Sequence, residues 1–219
     1  TKAIVLVHLY GQVRQMDEWV KFCEENKIIL IEDCAQAHLA TWQGKVSGSF
    51  GQAGAYSFYP TKNLGAVGDA GMLVTSDSTL AKKARRLRNY GQSERYLHPV
   101  IGMNSRLDEV QAAMLSERMK WLLEFTKRRR QIADKYHSKI DNPYVKLLIK
   151  PEQKSAHVYH LFVITCLQRD ALQTHLLKKG VQALIHYPIP VHQQKPCSEI
   201  VRDPNGLNNS EKHASMCLS

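Results

Sequence analysis

Residues 3–33 read AIVLVHLYGQVRQMDEWVKFCEENKIILIED, and this stretch decides the fold. Ala3-Ile4-Val5-Leu6-Val7 is a short apolar run rich in β-branched residues, as a buried strand requires. Gly11-Gln12 marks a turn. Residues 16–26 read as a helix, with Asp17 and Glu18 in the first turn, where the helix dipole favours negative charge. Ile28-Ile29-Leu30-Ile31 is a second apolar strand, and it ends in Glu32-Asp33. Strand, helix, strand with both strands apolar throughout implies a βαβ unit and a parallel sheet.

Outward from this unit, Ala53–Tyr59 and Gly71–Ser76 read as two further short strands. Asp77 then caps a helix running to about Asn89. Ser105 to about Ile140 is helix-forming, with a kink expected around Trp121, and Asn142-Pro143 breaks it. Beyond the break the spacing predicts a strand over His157–Cys166, a helix over Asp170–Lys179 closed by Gly180, and a strand over Val181–His186. The chain therefore divides into a larger α/β domain over residues 1–125, with a mainly parallel sheet, and a smaller α+β domain over residues 126–219. The opening directly in a strand, without an initiator Met, reads as a fragment whose N-terminal part is missing.

The 219 residues carry a formal charge of +10, from 30 basic and 20 acidic residues. Such a balance suits polyanionic partners: nucleic acid, anionic membrane or phosphorylated small molecules. The basic runs Lys82-Lys83-Ala84-Arg85-Arg86 and Lys127-Arg128-Arg129-Arg130 read as solvated helical faces. No helix-turn-helix, zinc-finger or RNA-binding motif supports a nucleic-acid partner. No apolar run approaches the ~20 residues that span a bilayer. The five cysteines form no CxxC pair, which fits a reduced cytoplasmic protein better than a disulfide scaffold.

Asp33 follows an apolar strand, at the carboxyl edge where α/β sheets place ligands. Lys62 lies in a loop after a strand, in Ser57-Phe58-Tyr59-Pro60-Thr61-Lys62-Asn63-Leu64-Gly65-Ala66. Gly65, Gly68 and Gly71 around it would let backbone approach a ligand. A lysine amine can form a Schiff base with a carbonyl cofactor. Pyridoxal phosphate (PLP) wants an acid at its ring nitrogen and hydroxyl or N–H donors at its phosphate. Asp33, Lys62 and Ser57 supply one group for each task. On residue types alone the ordinary reading, a turn aspartate and a solvated lysine, stays open and is the commoner one.

Four motifs narrow it. Ile31-Glu32-Asp33-Cys34-Ala35-Gln36-Ala37-His38, the lysine loop from Ser57 to Gly71, Gly102-Met103-Asn104-Ser105-Arg106-Leu107-Asp108-Glu109-Val110-Gln111-Ala112-Ala113, and His186-Tyr187-Pro188 with Pro190 and His192 occur in this order. Together they resemble the PLP-dependent nucleotide-sugar aminotransferases of the DegT/DnrJ/StrS type, across nearly the whole chain. The resemblance implies a fold-type-I architecture with PLP as cofactor. It implies Lys62 as the Schiff-base lysine that also shuttles the proton, Asp33 at the pyridine nitrogen, and Gln36 against the ring near its 3-oxygen. It implies Ser57 at the phosphate, and Asn104 reaching the cofactor phosphate of a neighbouring subunit in a homodimer with shared sites. No metal is implied.

The implied reaction moves an amino group from an amino acid, L-glutamate first, to a nucleotide-linked keto-deoxysugar, the 3-keto class first. Related dehydratases replace the lysine with histidine, and Lys62 argues against them. A catalytically incomplete paralogue or truncated product remains as an alternative, and a nucleic-acid-binding regulator is a weaker one. Two departures stand out: Leu39 and Ala70 occupy positions where the family usually has Gly, and Ala70 would clash if its φ were positive. The family's stacking aromatic and Gly-Thr phosphate turn are not in this sequence.

The remaining features read more plainly. Asn104 could also cap the helix that follows it, and the two roles are compatible. His157 and His160 sit at i and i+3 of an expected strand and so point to opposite faces, which argues against a shared metal. Trp19, Trp42 and Trp121 read as core or interface residues, and Cys34 as a buried structural thiol. His38 has no assigned role.

Overall fold

The computed structural model describes all 219 residues. In chain order the elements are β1 (Ala3–Val7), α1 (Met16–Glu25), β2 (Ile29–Asp33), β3 (Thr41–Trp42), β4 (Lys45–Val46), β5 (Ala53–Ser57), β6 (Gly71–Val74) and α2 (Ser78–Leu87). They continue with α3 (Glu109–Met119), α4 (Leu122–Lys139), β7 (Lys146–Leu147), β8 (Ile164–Thr165), α5 (Arg169–Lys178), α6 (Asn208–Met216) and β9 (Cys217–Leu218). Contacts divide the chain into two compact units: Thr1–Ile132 with Pro151–His160, and Ala133–Lys150 with Leu161–Ser219.

The first unit is built on a four-stranded sheet in the order β1-β2-β5-β6. β1 pairs with β2 in parallel, and so does β2 with β5, whereas β6 runs antiparallel to β5. The βαβ unit is therefore present, with α1 as its crossover. One face of this sheet carries Ile4, Leu6 and Leu30, which pack with Val13, Met16, Cys23, Trp42 and Val158 into the main core. Strand alternation puts Val5, Val7, Ile29 and Leu73 on the other face. All four are exposed there, Val5 by 60%. A second cluster joins Phe58, Leu64 and Ala66 of the lysine loop to Leu115 and Leu122.

Local chemistry explains the boundaries. Asp77 caps α2 by accepting from the backbone N–H of Thr79 at 2.7 Å and of Leu80 at 3.1 Å. The kink expected near Trp121 is a full break between α3 and α4. The cap role offered for Asn104 fails, because α3 begins only at Glu109 with Asp108 before it. A small hairpin, β3 with β4, follows the acidic motif and was not expected.

The second unit differs more from expectation. The strand predicted over 157–166 shrinks to Ile164–Thr165, because residues 155–160 are taken up by side-chain clamps described below. Residues 181–186 form no strand, although Leu184 and Ser219 exchange backbone hydrogen bonds at 2.7 and 2.8 Å. A three-stranded sheet, β7-β8-β9, does the holding instead. Gly180 closes α5 at φ +78°, as the helix-stop signal implied. No helix is long and apolar enough to cross a membrane.

Candidate active site

The carboxyl ends of β2 and β5 bring the candidate residues together. Val7, Asp33 and Ala55 are aligned across three strands, and Ser57 lies two residues beyond Ala55 on the same face. Asp33 is half-buried, and its Oδ1 accepts the Ala35 N–H at 2.9 Å. Ser57 Oγ accepts the Tyr59 N–H at 3.2 Å. The chain then turns through Pro60 to Lys62, whose N–H donates to the Tyr59 carbonyl at 2.8 Å. Lys62 is half-buried, and burial lowers its amine below the ordinary lysine range while the Asp33 carboxylate opposes the shift. The acid and the amine, far apart in sequence, thus meet electrostatically through the fold.

The lysine turn is fixed from several sides. A Cβ on Gly65 would collide with the Pro60 carbonyl, so Gly65 is there to close the turn against backbone. Gly71 likewise abuts the Tyr56 carbonyl, at 2.9 Å from the position of a Cβ. Gly65 and Gly71 thus make room for the chain itself, whereas a Cβ on Gly68 would meet only the Gln111 side chain, at 3.6 Å. Gln111 of α3 accepts from the N–H of Val67 and of Gly68, both at 3.2 Å, and donates to Asp69 O at 3.3 Å. Ala70 has no positive φ, so its side chain costs nothing there. Leu39 does, at φ +67°, and is the position where the missing glycine leaves strain.

Gln36 is buried, and its Oε1 accepts the Tyr10 N–H at 2.5 Å. Asn104 stands apart in its contacts: it is exposed and accepts from Arg106 Nε at 3.2 Å.

Three further groups were given no role from the sequence. Glu32 is fully buried and accepts from His8 Nε2 (2.9 Å) and from the N–H of Gly48 (2.7 Å), Phe50 (2.7 Å) and Gly51 (2.9 Å). Burial alone would raise its carboxyl, but the His8 contact and the three N–H groups bring it below the usual range. Strand alternation was the available signal, since it puts Glu32 on the core face. His8, Glu32 and Cys34 offer ligand atoms within 4.8 Å of one another. That carboxylate is already filled with N–H donors, and burial pushes the Cys34 thiol up to about 12, so the trio reads as a hydrogen-bonded core.

His38 is 3% exposed, with its ring tilted against Tyr56 at 5.3 Å and Phe58 at 5.7 Å. Neither ring nitrogen has a hydrogen-bond partner. Burial pushes the imidazole down to about 4, the nearby Ser57 backbone opposing and the Lys62 charge assisting. The third group, Asn63, is buried beside Lys62 and reaches a segment distant in sequence.

The sequence profile of the DegT/DnrJ/EryC1/StrS aminotransferase family matches residues 1–219. The chain belongs to this family. It is 48% identical over 199 residues to a dTDP-3-amino-3,6-dideoxy-alpha-D-galactopyranose transaminase of Aneurinibacillus thermoaerophilus, covering 91% of this chain and 54% of that protein. It is 40% identical over 221 residues to a pleiotropic regulatory protein of Geobacillus stearothermophilus, covering 100% of this chain and 59% of that one. Among solved structures, S. venezuelae DesV in complex with a ketimine intermediate superposes with a TM-score of 0.93 at 39% identity, covering 100% of this chain and 59% of that chain. The chain therefore spans between a half and three-fifths of the length of these family members. The expected α/β architecture is the fold of the solved family aminotransferases.

Proposed function

We propose that this chain carries the lysine-bearing half-site of a PLP-dependent aminotransferase acting on a nucleotide-linked keto-deoxysugar, with the 3-keto class as substrate and L-glutamate as donor. The observation that carries this reading is the placement of a half-buried Lys62, its amine lowered by burial, within electrostatic reach of the Asp33 carboxylate at the strand ends. The donor set fits PLP: an amine for its aldehyde, an acid for its ring nitrogen and a hydroxyl at Ser57 for its phosphate. The unpartnered nitrogens of His38 beside this set also suit a site completed by a ligand or water. The name of the Aneurinibacillus relative supports a 3-amino sugar product, and the +10 charge suits a diphosphate.

Bound PLP supplies an aldehyde that condenses with amines and a ring that takes up an electron pair. Lys62 offers the amine in neutral form at lower pH than a solvated lysine does, because burial disfavours its charge. In its neutral form the same amine would take the proton from the donor α-carbon and deliver it to the carbon that had carried the aldehyde, leaving the amino group there. The Asp33 carboxylate holds a proton on the ring nitrogen. Ser57 orients the phosphate.

Homodimerisation with shared sites is part of the proposal: Asn104 is exposed, and Ile101, Met103 and Val110 around it present apolar surface. The five free cysteines support a reducing, cytoplasmic setting. The test is borohydride reduction with PLP, on the 219-residue chain and on a chain extended to family length, followed by peptide mapping. The adduct is expected on Lys62 and absent in Lys62→Ala; an adduct on another lysine overturns the assignment.

A further inference from the structure

Asn63, next to Lys62, does something that neither the turn nor its glycines require. Its side chain is buried, and its Nδ2 donates to the Val158 carbonyl at 3.2 Å. Its Oδ1, which can only accept, faces His160 Nδ1 at 3.2 Å, so His160 carries its proton on that nitrogen. The segment that Asn63 grips is itself clamped. Arg129 Nη1 donates to the carbonyls of Tyr159 (3.0 Å) and His160 (3.2 Å). Arg130 donates to those of His157 (2.9 Å) and Ser155 (3.1 Å). On its other side the segment pairs with residues 11–13, through Val158 N to Gly11 O at 2.9 Å and Val13 N to Ala156 O at 2.8 Å. Two members of a basic run that reads as solvated surface are therefore engaged in holding this strap.

We propose that Asn63 and His160 form a positioning latch for the Lys62 amine, with Arg129 fixing the backbone of His160. The backbone hydrogen bonds of Lys62 to Tyr59 and of Ala66 to Phe58 close the turn but leave residues 62 and 63 free to tilt within it. A buried amide tied at both ends to a clamped segment removes that freedom, because breaking it strands two buried polar groups. The latch sets how deeply the amine sits, and so how it titrates. Asp33 and His38 are the charged or titratable groups that act on Lys62 here, and the variants below leave both in place.

The proposal rests on reading Lys62 as the reactive amine, and its test is kept separate from that reading by omitting PLP. Trinitrobenzenesulfonate labels neutral amines, and peptide mapping gives the labelling of Lys62 alone as a function of pH. In Asn63→Ala and His160→Leu the midpoint for Lys62 is expected to move to higher pH, as the amine relaxes into solvent. A shift of one unit lowers the neutral fraction at a given pH roughly tenfold. His160→Asn, which keeps an N–H donor near the Nδ1 position, should stay close to the parent. The double variant Asn63→Ala/His160→Leu should match either single one, because both break the same link. Should His160→Leu fail to fold, Arg129→Lys keeps the charge but loses the paired carbonyl contacts, and it should shift the midpoint in the same direction. A midpoint unmoved in whichever of these variants folds, or single effects that simply add, overturns the latch. An adduct on another lysine would overturn the functional reading instead.

Discussion

Glu32 and Asp33 are neighbours in β2, yet their carboxylates lie on opposite faces of the sheet in opposite surroundings. Glu32 is fully buried beneath the loop 48–51 and takes hydrogen bonds from three backbone N–H groups and His8. Asp33 is half-buried at the strand end beside Lys62 and accepts one local N–H. The period of two along a strand separates the structural carboxylate from the one proposed to meet the cofactor.

Glu32→Ala should therefore be severe. It leaves the N–H groups of Gly48, Phe50 and Gly51 and the His8 ring without their acceptor in the core. Breaking a buried charged network by removing one partner costs about 3–5 kcal/mol. Denaturant unfolding followed by circular dichroism checks this; a loss under about 1 kcal/mol would mean the loop re-pairs with water.

Asp33→Asn should leave stability nearly unchanged, since Asn still accepts from Ala35. In a chain extended to family length, turnover should drop on the order of 10²-fold or more, because the charge that holds the ring nitrogen protonated is gone. Steady-state kinetics with glutamate decides it, and near-parent turnover would make Asp33 a structural residue.

His38 predicts a pH dependence with a definite sign. Its folded pKa of about 4 lies below the ordinary 6.5. Above pH 6.5 the ring is neutral in both states. Between 6.5 and about 4 the unfolded chain binds a proton that the folded chain refuses, so stability falls as pH drops through that window. The loss is at most about 3–4 kcal/mol. Glu32, lowered in the fold, adds its own loss only below about pH 4.5. His38→Phe, seated between Tyr56 and Phe58, should flatten the upper window; an unchanged slope there would assign it to other groups.

Gly11→Ala should be costly for two independent reasons. Gly11 has φ +94°, and an added Cβ would stand 2.7 Å from the Gln36 carbonyl and 3.1 Å from His160 N. Strain and overpacking together should cost about 2–4 kcal/mol, read as a lowered denaturant midpoint.

Much of this was legible from the sequence. Apolar runs gave the parallel strands, Asp77 announced its helix, and the four motifs carried the family. The failures share a cause. Residues 157–160 read as strand because Val158 and Tyr159 suit one, but Arg129, Arg130 and Asn63 claim their carbonyls from outside the segment. The same contacts hid Asn63 behind Lys62 and made Arg129 and Arg130 look like surface. Leu39 was noticed as a departure from Gly, and only the backbone angle tells that it, and not Ala70, sits where Gly is preferred. Tertiary partners of this kind leave no periodic trace in the chain that they hold.

Val5, Val7, Ile29 and Leu73 give a fluorescent dye somewhere to bind before any melting occurs. Bright dye emission is ordinarily taken as the mark of a loosened, molten interior. In the 219-residue chain it should come from an intact sheet whose exposed face carries these side chains beside Asp33 and Ser57, so a dye-based melting curve would start high and show little further rise. A chain that looks denatured by that assay can be native by circular dichroism, and purification or ligand screens scored on dye signal alone would discard the folded material.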